Sequence, residues 1–201
     1  FLSIWQPVYP LRICILGSPR SGTTSLMEYI SDSLKINRVN EPYNNIIDSR
    51  WGKRDITEDS IWRDKNTVVK HLIFQLTSEQ KKNLKDHFDK VVCIYRKDLK
   101  SSSESWLAGY HSDNWNRPYT YKDSKAFETT KKNAQIKNNI IEHRIKEIQE
   151  IKELGYFTVT YEDLFYSDKD KIKLNEYLGI TNPSIHILDP VNKLRLDSTI
   201  A

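Results

Sequence analysis

The chain has 201 residues, enough for one α/β domain with a sizeable core, and no repeat or low-complexity linker marks a second. Its 31 Lys and Arg against 27 Asp and Glu leave a net charge of +4 with the signs interspersed, which argues against a general nucleic-acid surface and leaves a modest bias toward anionic ligands. No apolar run approaches the ~20 residues needed to span a bilayer, and Cys14 and Cys93 sit in apolar runs that read as buried strands, where a thiol is a small hydrophobe rather than half of a disulfide or a metal ligand.

In chain order, residues 12–16 read as a buried strand that breaks into Gly17-Ser-Pro-Arg-Ser-Gly-Thr-Thr24 and resumes as a helix over 23–34. That is the pattern of a phosphate-binding loop. Gly17 and Gly22 can take backbone angles closed to other residues, which would let successive amide N–H groups converge on an anion at the positive end of the helix. The spacing fits G-x-x-x-x-G, but the Lys and Ser/Thr that follow in ATPases and GTPases are replaced by Thr23 and Thr24, and the one cation in the loop is Arg20. Such a loop suits a single 5′-phosphate better than a metal-bound triphosphate.

A short strand is expected at 37–40, just before Glu41-Pro42, and another at 67–70 with Lys70 and His71 at its end. A helix over 78–87 leads to a strand at 91–95, which delivers Arg96 to the carboxyl end of the sheet, where open α/β folds bind ligands. Asp98 is a good cap for the helix expected over 100–109. The aromatic, irregular stretch 111–121 follows and reads as a lid. The longest helix is expected over 124–154, with Ile136, Ile140, Ile148, Ile151 and Leu154 forming a core stripe. A strand at 157–161 and a helix at 169–178 close the series.

Pro19-Arg-Ser-Gly-Thr-Thr24 resembles the 5′-phosphosulfate loop of the sulfotransferase superfamily. The resemblance implies 3′-phosphoadenosine 5′-phosphosulfate as donor, 3′,5′-bisphosphoadenosine as product, and Pro19, Arg20, Ser21, Gly22, Thr23, Thr24 and Ser25 as contacts of the 5′ end. It also implies a later 3′-phosphate motif, an arginine after a strand and a serine about two helical turns on. Arg96 fits, with Ser105 before Trp106 as the serine and Ser103 as the alternate. Asn66-Thr-Val-Val-Lys-His-Leu72 resembles the Val-x-Lys-Thr-His-Leu segment of the cytosolic branch without its threonine, which implies Lys70 facing the transferring group and His71 as general base. Val39-Asn-Glu-Pro-Tyr43 resembles the carbohydrate and bacterial branches, where a glutamate is the base, so Glu41 is the rival. Reference pKa values of about 4.3 for Glu and about 6.5 for His leave either able to accept a proton near neutrality.

Tyr156-Phe-Thr-Val-Thr-Tyr-Glu-Asp-Leu164 and Ile172-Lys-Leu-Asn-Glu-Tyr-Leu-Gly179 resemble the family's last strand and a following amphipathic helix; Glu162 and Asp163 there read as caps or loop braces. In the tail, Lys193 and Arg195 stand where relatives place a basic segment over the adenosine, and are implied donor contacts.

The expected architecture is a three-layer α/β sandwich over residues 1–201, with a central parallel sheet and a P-loop-like phosphosulfate loop. The expected activity is metal-independent, in-line sulfuryl transfer to an acceptor hydroxyl or amine on a carbohydrate, small molecule, peptide or lipid. Two alternatives stand beside it. A P-loop kinase would need the missing lysine, a magnesium-binding carboxylate and a lid arginine. A non-catalytic nucleotide-binding module would keep Arg20, Arg96 and Ser105 and could dispense with Lys70, His71 and Glu41. The expected compartment is the cytoplasm, the alternative a lumenal domain behind an anchor.

Overall fold

In the computed structural model, which describes residues 10–42, 66–112 and 130–184, the elements follow in the order β1 (Arg12–Gly17), α1 (Thr23–Leu34), β2 (Asn37–Asn40), β3 (Thr67–Leu72), a 3-10 turn (Ile73–Gln75), α2 (Ser78–Lys82), α3 (Leu84–His87), β4 (Lys90–Tyr95), α4 (Leu99–Ser112), α5 (Lys131–Glu153), β5 (Phe157–Thr160), α6 (Tyr161–Phe165) and α7 (Asp168–Leu178). The strands form one sheet in the order β2-β3-β1-β4-β5, with every neighbouring pair parallel.

A parallel sheet survives only with both faces covered, which is why these strands are apolar at consecutive positions. Ile13, Ile15, Val68, Val92 and Ile94 turn to one side, where Leu26 and Ile30 of α1, Leu164 of α6 and Leu174 of α7 pack on them. Cys14, Leu16, Val69, Val91 and Cys93 turn to the other, against Ile73, Leu84 of α3 and Ile151 of α5. Helix, sheet and helix make the three layers. Burial pushes both thiols up, Cys93 to about 12, and both cysteines are free. The connection from β3 to β4 passes across β1, so the carboxyl ends of these three strands meet where α/β sheets reverse direction and bind ligands.

The bounds of α1 and β2 agree with the sequence pattern. Other elements differ for local reasons. The strand expected to end at Lys70 continues to Leu72, so His71 lies within it. The helix expected over 78–87 breaks at Asn83, which ends α2 and starts α3. Tyr161 leaves the strand to open α6, because Thr160 caps that helix by accepting from the Asp163 N–H at 3.2 Å. In α5, Ile140 and Ile151 are buried and Ile136 packs on Leu107 and Ala108 of α4, so the apolar stripe is core. The expected helix start at 124–129, most of the lid stretch 111–121, and Lys193 and Arg195 lie outside the described residues. Among the described residues no helix is long and apolar enough to cross a membrane.

Candidate functional site

The loop between β1 and α1 turns sharply through two left-handed residues. Arg20 and Gly22 both take left-handed backbone angles, φ 64 and φ 81, so the chain alternates hand through the turn and its N–H groups gather on one side. Gly22 has a second reason to lack a side chain: a Cβ there would lie 2.8 Å from the Phe165 ring and 2.9 Å from that of Tyr161. Pro19 is buried. Ser21 is also buried, and its hydroxyl donates to the Ser18 carbonyl, so it braces the loop from within. Thr23 is buried beneath the helix start, Thr24 is exposed and Ser25 half-buried.

Two motifs that are far apart in sequence meet here. Arg20 Nε donates to Ser105 Oγ at 3.0 Å, from the first loop to the second turn of α4. Ser103, the alternate serine, is fully buried and donates back to the Lys100 carbonyl at 2.7 Å. The difference is helical geometry: two residues along a helix are about 200° around it, so the two serines cannot share a face. Asp98 caps α4 as its sequence suggests, accepting from the Ser101 N–H at 3.0 Å.

Arg96 emerges from β4 with its guanidinium over the Tyr161 ring, 4.5 Å from the centroid, and its Nε 3.8 Å from Glu162 Oε1. That Nε is buried and makes no hydrogen bond. The Glu162 carboxylate also accepts from the N–H groups of Lys97, at 2.9 Å, and Asp98, at 3.0 Å, while Asp163 pairs with Lys97. Glu162 and Asp163 thus brace the turn that presents Arg96, as acidic residues at a strand end were expected to do.

A second cluster forms at the ends of β2 and β3. Lys70 Nζ, with 4% of its side chain exposed, reaches Glu41 Oε1 at 2.6 Å and donates to Thr24 Oγ1 at 2.9 Å. Glu41 N donates to the Lys70 carbonyl at 2.9 Å, which extends the strand pairing by one residue. Glu41 is itself left-handed, with φ 45, immediately before Pro42, a place where a non-glycine residue stores strain. Gln75 Nε2 donates to the other carboxylate oxygen, Oε2, at 3.0 Å. The sequence reading did not single out Gln75; no motif contains it, and only its position one turn past the strand end could have pointed to it.

His71 does not join this cluster. Because side chains alternate along a strand, Lys70 and His71 turn to opposite faces once β3 continues through both. Lys70 shares the side of Val68 and α1, and His71 the side of Val69. The imidazole is 0% exposed, and burial, reinforced by the charge of Lys70, pulls its pKa down to about 3. The expectation of a Lys-His pair acting together at a strand end is therefore corrected: the missing threonine leaves the two neighbours on opposite sides of the sheet.

No family model and no curated protein matches the sequence. Among solved structures, the chain is similar to the crystal structure of mouse sulfotransferase SULT7A1 complexed with PAP, with a TM-score of 0.52 and 19% identity over 94% of this chain and 64% of that one. It is similar to a sulfotransferase from Alicyclobacillus acidocaldarius, with a TM-score of 0.56 and 13% identity over 95% and 91% of the two chains. Shikimate kinase from Bacteroides thetaiotaomicron gives a TM-score of 0.51 and 12% identity over 84% and 98%. This chain spans just under two thirds of the mouse protein's length, 64%. At such identities the likeness is one of fold, the P-loop-like α/β arrangement that sulfotransferases share with small-molecule kinases.

Proposed function

We propose that this chain transfers a sulfuryl group from 3′-phosphoadenosine 5′-phosphosulfate to an acceptor hydroxyl or amine. The observation that carries the reading is the Arg20–Ser105 hydrogen bond, which brings the 5′ loop and the helix that follows Arg96 to one place, as a donor phosphorylated at both ends requires. Arg96 fits the 3′-phosphate: its Nε is buried without a hydrogen bond, while stacking on Tyr161 and the Glu162 brace hold the guanidinium at the end of β4. The amides around Gly22 and the hydroxyls of Thr23 and Thr24 would take the 5′-phosphate.

In this reading the bond between sulfur and the bridging oxygen breaks with its electron pair going to the phosphate, as the acceptor oxygen or nitrogen forms the new bond to sulfur. Arg20 and Lys70 would stabilise the charge that grows on the bridging oxygen. Glu41 would take the acceptor's proton, whereas a fully buried imidazole with a pKa of about 3 belongs to the core. Lys70 also bears on the kinase alternative. In P-loop kinases the hydroxyl after the loop lysine is directed at magnesium, whereas here Thr24 receives the Lys70 ammonium.

Isothermal titration tests the reading. 3′,5′-bisphosphoadenosine should bind without magnesium and more tightly than 5′-AMP, and Arg96→Ala should cost about 1.5–3 kcal/mol of that affinity by removing charge-assisted hydrogen bonds. Equal affinity for the two nucleotides, or tighter binding of ATP with magnesium, would overturn it. Turnover of labelled donor against a panel of acceptors then separates a transferase from a binding module. There Arg20→Ala should depress turnover more than donor affinity.

A further inference from the structure

Glu41 is gripped by a residue that carries no charge and belongs to no recognised motif. Gln75 closes the 3-10 turn directly after β3, and both ends of its amide are committed. Its Oε1 accepts from the Leu72 N–H at 2.8 Å, and its Nε2 donates to Glu41 Oε2 at 3.0 Å. The backbone bond decides which end of the amide is oxygen, so the donor end must face Glu41. Lys70 takes the other carboxylate oxygen at 2.6 Å.

We propose that Gln75 is a positioning residue for Glu41, which sets the plane of that carboxylate; this rests on the reading of Glu41 as the base. An ion pair with Lys70 alone would leave the carboxylate free to turn about its last bond and offer either oxygen. A second donor on the second oxygen removes that freedom. A second cation would do so too, but would favour the ionised form more strongly and weaken the base, whereas a neutral amide orients it at a smaller cost in basicity. The 3-10 turn supplies the rigidity, because the Leu72 bond ties the amide to the end of a central-sheet strand.

The test is carboxyl NMR of the full chain with 13C-labelled glutamate, the Glu41 signal being assigned by its loss in Glu41→Gln. Among the described residues the charged group set against Glu41 is Lys70, unchanged in every variant; Arg38, the charged residue of β2, is committed to Glu28 and Asp32 of α1. Gln75→Met removes the donor on Oε2, so the Glu41 carboxyl signal at neutral pH should move from its wild-type position and the side-chain order parameter should fall from the rigid toward the flexible range. Gln75→Glu keeps an acceptor for the Leu72 N–H but sets a carboxylate against Glu41 in place of the donor, so the order parameter should fall at least as far. It also decides the matter should the methionine variant fail to fold. A Glu41 signal and order parameter unchanged from the wild type in these variants would overturn the proposal. A Glu41→Gln variant that transfers label from 35S-labelled donor at the wild-type rate would instead sink Glu41 as base, a separate failure that the NMR signal does not register.

Discussion

Removing the charge of Glu41 should destabilise the protein through Lys70. The Lys70 ammonium is nearly out of solvent, with 4% of its side chain exposed, and is held by one carboxylate oxygen at 2.6 Å and one hydroxyl at 2.9 Å. Taking away one partner of a buried ion pair costs about 3–5 kcal/mol, because the remaining charge stays buried without compensation. Glu41→Gln leaves an oxygen that still accepts from Lys70, and the Glu41 side chain is 18% exposed, so the cost falls at or just below the foot of that range, about 2–3 kcal/mol. With a urea m-value of about 2 kcal/mol/M, the midpoint should fall by about 1–1.5 M at unchanged slope. Adding Lys70→Met to the same chain removes the stranded charge, and replacing both members of a buried pair is often close to neutral. The double variant should therefore recover most of the loss. A single variant that costs less than about 0.5 kcal/mol, or a double variant that is simply the sum of two losses, would refute the idea that burial makes these charges depend on each other.

His71 makes stability depend on pH. Unfolded, it takes a proton near the ordinary value of 6.5; folded, only near 3, so the stability of keeping it neutral is complete above 6.5 and is lost as pH falls toward 3. The slope should reach about 1.4 kcal/mol per pH unit in that window, and His71→Met should flatten it by that amount in urea titrations at pH 4, 5 and 6. An unchanged slope would mean the imidazole takes its proton in the folded state. Gly22→Ala should lose about 2 kcal/mol or more, since it combines a left-handed backbone, φ 81, with a Cβ 2.8 Å from the Phe165 ring; a melting temperature within a degree of wild type would refute this.

The elements that could be read from sequence were those whose signals are local. A buried strand, two glycines and a helix start specify the β1–α1 loop within a dozen residues, and the Asp98 cap lies three residues from the Ser101 N–H it receives. The direction in which Lys70 and His71 turn is different. Alternation says that neighbours oppose each other, but which face looks toward α1 depends on the register of β3 against β1, set by the pairing of Ile15 with Lys70 and Leu16 with His71. Ser103 and Ser105 posed the same problem on a helix, and it was the Arg20 contact across 85 positions that distinguished them. Tyr161 reads as the end of the last strand, although Thr160 and Asp163 carry the spacing of a helix cap.

The place of β1 in the sheet has a consequence for how the chain is made. It lies between β3 and β4, both of which follow it in sequence, and its register partner in β3 comes 55 positions later, the same separation as the Leu11–Asn66 bond beside it. At synthesis rates of about 5–20 residues per second, this apolar strand waits roughly 3–11 s on the ribosome before its first neighbour is translated. During that interval its two open edges are available to other nascent chains. A chaperone that holds extended apolar segments would be expected to engage residues 12–17 during that interval, and to release them once β3 has emerged.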